Sequence, residues 1–241
     1  LARSASAPWS STDCRRPAGV RLSVDAAAIC WNVPPTVIVH AAVKPRDLDF
    51  SLIGLVVGER VGDGLPFFRG FRGSEEDLKW LGAALASSGS CGMFHLEGVT
   101  PEARKVRRRG LRTLTVTRKD LADAKRDYSD GTEADVIALG SPQLSSEELR
   151  DIARRIERTP PRIPVWVFTS RTVRDANPEA VAAVERHGSR VLADTCLEVT
   201  LLEHRFGTVA TPSGKGAYYL PTLCKQKVIL DGIDALLERY A

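Results

Sequence analysis

Five side chains in this 241-residue sequence are of types and spacings that could do chemistry together: Ser141, Ser170, Arg171, Cys196 and Lys215. Hydroxyls, a guanidinium and an ammonium can grip the oxygens of an acid. A thiolate can serve as a soft ligand or a nucleophile. Each has a plainer reading. Serines cap helices in most proteins, an exposed lysine in a Gly turn such as Ser213-Gly214-Lys215-Gly216 is ordinary, and a single cysteine is commonly a buried thiol. What sets these five apart is where the surrounding pattern would deliver them.

Residues 135–196 read as a βαβαβ unit. Asp135-Val136-Ile137-Ala138-Leu139-Gly140 is a near-continuous apolar run, as expected for a parallel strand covered on both faces. Ser145 with Glu148 forms a capping box ahead of Leu149, Ile152 and Ile156 at helical spacing. Pro160-Pro161 and Pro164 stop that helix before the strand Val165-Trp166-Val167-Phe168. Asn177-Pro178 opens a second helix, Gly188 ends it, and Arg190-Val191-Leu192-Ala193 is the third strand. Right-handed crossovers make such strands parallel, so their C-terminal ends share one edge, where ligands of open α/β sheets bind. That edge receives Ser141-Pro142-Gln143, Thr169-Ser170-Arg171 and Asp194-Thr195-Cys196.

The rest of the chain is less regular. Residues 1–33 have no sustained period and are expected to be poorly structured; residues 34–241 form the domain. Thr36-Val37-Ile38-Val39-His40 reads as a strand. Gly54 and Gly58 suggest a close helix contact, because the segment lacks the Gly-x-Gly-x-x-Gly turn of a dinucleotide site. Ser74 opens a helix carrying Leu78, Leu81 and Leu85. A strand at 91–96 brings His95 either into the core with hydrogen-bond partners or to a strand end as a base. Residues 111–116 and 208–211 read as further strands, 118–128 as a polar helix, and 229–240 as a closing amphipathic helix.

Composition excludes several classes. At 43% hydrophobic and 27% charged, the chain belongs with globular proteins, and no apolar run approaches the roughly 20 residues that span a bilayer. Five irregularly spaced cysteines make no disulfide framework. The net charge of +4 is small, and the basic stretch 104–126 lacks interleaved aromatics, so a solvated basic loop is expected in place of a nucleic-acid surface. The start lacks both Met and a signal-peptide pattern and reads as the stub of a longer chain; a cytoplasmic location is expected.

Taken in order, the motifs resemble the catalytic domain of the aconitase X family. The matching pieces are Phe50-Ser51-Leu52-Ile53-Gly54 with Gly58; Leu78-Lys79 with Leu81-Gly82-Ala83-Ala84; Phe94-His95 with Gly98-Val99-Thr100-Pro101-Glu102-Ala103; Gly140-Ser141-Pro142; Thr169-Ser170-Arg171; Asp194-Thr195-Cys196; and Ser213-Gly214-Lys215 with Ala217-Tyr218. The resemblance implies an α/β fold, a parallel sheet with helices on both faces. It also implies an iron-sulfur hydro-lyase that dehydrates a small hydroxy acid, such as cis-3-hydroxy-L-proline or mevalonate 5-phosphate, together with a small swivelling domain or subunit. By that resemblance Cys196 would bind the cluster. Ser141, Ser170, Arg171 and Lys215 are the expected substrate contacts, chiefly by position, and the catalytic group is not identified. Where the family has His after Gly-Ser-Pro, this chain has Gln143, and no cysteine stands near Asp234-Ala235. These departures imply an alternative, an inactive remnant that binds an organic acid or a partner subunit without a cluster.

Overall fold

The computed structural model describes residues 34–186 and 188–241, and the backbone of two short paired strands, β1 (Cys14–Arg15) and β2 (Arg21–Leu22). Most of the expectation for residues 1–33 therefore lies outside the described residues.

Two parallel sheets make up the remainder. The first has four strands, in the order β5 (His95–Leu96), β4 (Pro66–Arg69), β3 (Val37–Ala41) and β6 (Thr113–Val116). The second has five, in the order β11 (Lys227–Leu230), β10 (Thr208–Thr211), β7 (Val136–Leu144), β8 (Val165–Thr169) and β9 (Arg190–Ala193). The fold is α/β, as expected, but the chain builds two sheets where one βαβ sheet was read. Strands β4 and β11 went unread. The expected strand over 91–96 narrows to two residues, and the expected helix over 229–240 is strand β11 followed by a helix at Ile233–Arg239.

A helical layer joins the sheets. Helix α1 (Leu48–Val61) is apolar nearly all round and buries nine residues, the pattern of a helix enclosed by other elements. It lies against α2 (Glu75–Gly89), and one core runs from Val37 and Val39 of the first sheet, through both helices, to Val136, Trp166, Val209 and Val228 of the second. Gly54 and Gly58 permit this approach. A Cβ on Gly54 would lie 2.6 Å from the Leu81 carbonyl oxygen and 2.7 Å from the Ala84 Cβ. The Gly-x-x-x-Gly spacing is thus a helix contact, as the sequence suggested.

The outer face of the five-stranded sheet carries a second core. Leu149, Ile152 and Ile156 of the helix Ser146–Arg158 pack there with Val184 and Leu236. Ser145 and Glu148 form the expected capping box, and equivalent boxes at Ser74/Asp77 and Thr117/Asp120 start two other helices.

Candidate functional site at the sheet edge

Because all five strands of the second sheet are parallel, every C-terminal end falls on one edge, and β10 adds its end to the three expected from 135–196. The edge is knit together by polar contacts. Strand β7 runs past Gly140 through a cis Ser141-Pro142 bond to Leu144, with a register irregularity between Leu139 and Leu144. Gly140 sits at φ 115°, and a Cβ there would run into the carbonyl of Phe168 on β8, so only glycine allows the strands to approach this closely.

Ser141 is fully buried and donates its hydroxyl to Glu198 Oε1 at 2.5 Å. The Ser213 hydroxyl donates to the Ser141 carbonyl and accepts from the Gly216 amide at 2.8 Å, which ties the end of β10 to that of β7 and caps the helix Gly214–Tyr219. The Lys215 side chain, 31% exposed, holds its ammonium 3.6 Å from Glu198 Oε2. Cys196 is half-buried beside the same carboxylate. Burial raises its thiol pKa, the Glu198 carboxylate raises it further, and the Lys215 charge opposes both.

Ser141, Lys215 and Cys196 thus converge on Glu198. The other two expected residues lie along the edge. Ser170 caps the helix Arg171–Ala176, accepting from the Val173 amide at 3.2 Å, and Arg171 pairs with Asp194. The Gln143 side-chain amide donates to the Thr195 carbonyl at 2.9 Å, and the Gln143 main-chain carbonyl accepts from Lys79 Nζ at 3.0 Å; Lys79 is paired in turn with Glu148. Glu198 was missed by sequence reasoning. Its side chain is only 5% exposed, and Oε2 accepts no hydrogen bond. The one available signal was a carboxylate two positions beyond the cysteine, in a stretch without periodicity.

His95 lies away from this edge, on the first sheet. It is 1% exposed with neither ring nitrogen hydrogen-bonded, so the expected hydrogen-bonded core histidine is a core histidine without that bond. Burial lowers its pKa, against the opposing charge of Glu102.

Among the described residues, no group of three or more His, Cys, Asp or Glu side chains is arranged to hold a metal ion. Cys91 is buried on the first-sheet side, donating to the Gly64 carbonyl, and Cys224 is buried behind Glu198 with its thiol 3.6 Å from the Glu198 carbonyl. Clusters are held by several thiolates, and the described part of this edge offers Cys196 as its single half-open one. The described residues therefore do not complete a cluster site.

Two parallel sheets joined by a helical layer, one of them with a polar, charge-paired edge, define an α/β protein of the kind that binds small ligands at strand ends. Comparison with known proteins is specific. The aconitase X second-domain model matches residues 35–126, and the third-domain model matches residues 134–240. The chain belongs to the aconitase X family. It is 33% identical over 215 residues to the phosphomevalonate dehydratase large subunit of Thermococcus kodakarensis, covering 86% of this chain and 55% of that protein. It is 34% identical over 210 residues to the cis-3-hydroxy-L-proline dehydratase of Pseudomonas aeruginosa, covering 80% of this chain and 36% of that one. The crystal structure of the aconitase X of Thermococcus kodakaraensis in its holo-form superposes with a TM-score of 0.80 at 31% identity, covering 87% of this chain and 56% of that one. The chain spans about half the length of the phosphomevalonate dehydratase large subunits it matches. Among the described residues no helix is long and apolar enough to cross a membrane.

Proposed function

We propose that this chain carries the acid-binding part of a hydro-lyase acting on a small hydroxy acid such as cis-3-hydroxy-L-proline. The observation that carries the reading is the convergence of Ser141, Lys215 and Cys196 on the buried carboxylate of Glu198. In such a dehydration a proton leaves the carbon beside a carboxylate and a hydroxyl leaves its neighbour, so the substrate must be held by its acid group while both reacting carbons stay oriented. Lys215 would take the carboxylate, with Ser141 and Ser213 fixing the backbone around it; Arg171 and Ser170 would flank the acid. An iron-sulfur cluster, the cofactor proposed from the family, would find one ligand in Cys196 and need others from outside the described residues. The proposal also includes a partner, the small swivelling subunit or its equivalent.

A second reading, an inactive remnant that binds an organic acid or partner without a cluster, draws on one observation: the incomplete donor set. One experiment separates the two. The chain is treated anaerobically with iron and sulfide, combined with the small subunit of a relative, and given cis-3-hydroxy-L-proline while substrate loss is followed by NMR. Substrate loss that disappears in Cys196→Ala supports the hydro-lyase. No loss, with iron content equal in wild type and Cys196→Ala, supports the remnant.

A further inference from the structure

Alternation along β3 settles which way its side chains face: Val37, Val39 and Ala41 are buried in the main core, so Ile38 and His40 point to the outer face of the four-stranded sheet. In the parallel register His40 lies beside Arg69 of β4 on one side and Thr115 of β6 on the other, which puts Thr115, His40 and Arg69 in one row with strands about 4.8 Å apart. Thr115 and Arg69 are exposed, and among the described residues neither side chain makes a hydrogen bond or ion pair. The Nδ1 edge of His40 is buried against Gly70 without a partner, which leaves Nε2 towards solvent. Strands β3, β4 and β6 contain no Asp or Glu. The preceding residues on this face are covered: Phe67 and His95 are each 1% exposed, Ala103 and Val106 pack with Phe67, and the Arg108 guanidinium stands 4.8 Å from the centre of its ring. That covering segment forms a step along one side of the open row. Arg72, also exposed and unpaired, has its guanidinium beside Gly98 at the end of β5. At the second sheet, by contrast, Lys215, Arg171 and Lys79 each face a carboxylate.

We propose that Thr115, His40 and Arg69 form an oxyanion site on the first sheet, and that it takes a phosphate group, free or as the monoester of a small molecule. The Arg69 fork would hold two phosphate oxygens, while the Thr115 hydroxyl and His40 Nε2 donate from the neighbouring strands and Arg72 adds charge at the strand ends. A carboxylate has two oxygens and leaves a donor idle; a phosphate has three terminal ones and close to two negative charges. The row offers no exposed aromatic ring for bases to stack on, and no helix rises from it to enter a groove, so a small phosphate fits better than a nucleic acid. The site does not depend on the acid-binding reading of the other sheet.

The test is an NMR titration of the full chain with inorganic phosphate and, separately, with glycerol 3-phosphate, following the backbone amides of His40, Arg69, Gly70 and Thr115 in wild type, Arg69→Gln and Thr115→Val, each checked for fold by circular dichroism. Saturable shifts of these amides are expected in wild type. Arg69→Gln should weaken binding by about tenfold or more and Thr115→Val by about threefold or more. Tighter binding of glycerol 3-phosphate supports the site and marks a monoester as its ligand; equal or tighter binding of inorganic phosphate supports it with free phosphate as the ligand. Unchanged affinity in a folded Arg69→Gln overturns the proposal, as do shifts confined to the amides around Ser141 and Lys215 or no saturation with either phosphate. Duplex DNA shifting the row where neither small phosphate does also overturns it, in favour of a polyanion surface.

Discussion

Arg171 and Asp194 link the ends of β8 and β9 through two hydrogen bonds, from the Arg171 amide to Oδ1 at 2.8 Å and from Nε to Oδ2 at 3.0 Å. The side chain of Arg171 is 70% exposed, so water screens this pair, and a guanidinium already held by a carboxylate has less to give an incoming acid. Arg171→Ala is therefore expected to change affinity for a small carboxylic acid by no more than about threefold. Calorimetric titration of the variant checks this. A much larger loss would make Arg171, not Lys215, the principal anchor.

Helix α1 is set against α2 by Gly54, where a Cβ would meet the Leu81 carbonyl oxygen at 2.6 Å. Backbone on both sides cannot step aside cheaply. Gly54→Ala should cost on the order of 2 kcal/mol of stability, through overpacking, in spite of alanine's better helix propensity. Urea denaturation measures it, and an unchanged or raised midpoint would mean that the helices separate more easily than their shared core suggests.

The Asp120 carboxyl is partly buried, which alone would raise its pKa; hydrogen bonds from Thr117 and from Arg60 outweigh burial and hold it down at about 2. A carboxyl depressed in the folded state adds stability above its unfolded pKa, near about 3.9, and loses that contribution as pH falls through the folded value. Thr117→Ala should therefore reduce stability at neutral pH and flatten its dependence between about pH 4 and about pH 2. Thermal melts across that window test the sign: an equal loss at every pH would assign the effect to the helix cap alone.

The thiols should react in a fixed order. Burial, with the negative charge of Asp63, pushes the Cys91 thiol up to about 11, and its Sγ donates to the Gly64 carbonyl at 2.6 Å. Cys224 is buried as well, whereas Cys196 is half-open at the sheet edge. Brief iodoacetamide treatment at neutral pH, read by peptide mass spectrometry, should label Cys196 ahead of Cys91 and Cys224. Labelling of Cys91 first would contradict this placement.

Legibility followed the range of the forces involved. The capping box of Ser145 and Glu148 and the three strands between 135 and 193 are announced by patterns a few residues long, and so is the helix contact at Gly54 and Gly58, whose Gly-x-x-x-Gly spacing is local although its partners, Leu81 to Gly89, lie on the next helix; all were readable. Strand β4 is short and opens on Pro66, so it shows no alternation, and Val228 to Leu230 of β11 merge into the apolar series of the helix that follows Gly232. The edge was readable as an edge because crossover handedness fixes it. Glu198 was not, since its role depends on Ser141, 57 residues away, and on Lys215 in the helix Gly214–Tyr219. Nor could the pairing of Arg171 be seen, because a guanidinium's partner is set by register between strands.

If this edge binds a small hydroxy acid through Lys215, calorimetric titration of the full chain with cis-3-hydroxy-L-proline, for wild type and Lys215→Met, will show it. Wild type is expected to bind saturably, and a folded Lys215→Met to bind more weakly by about tenfold or more. Equal binding by the two proteins, or none by wild type, would contradict it.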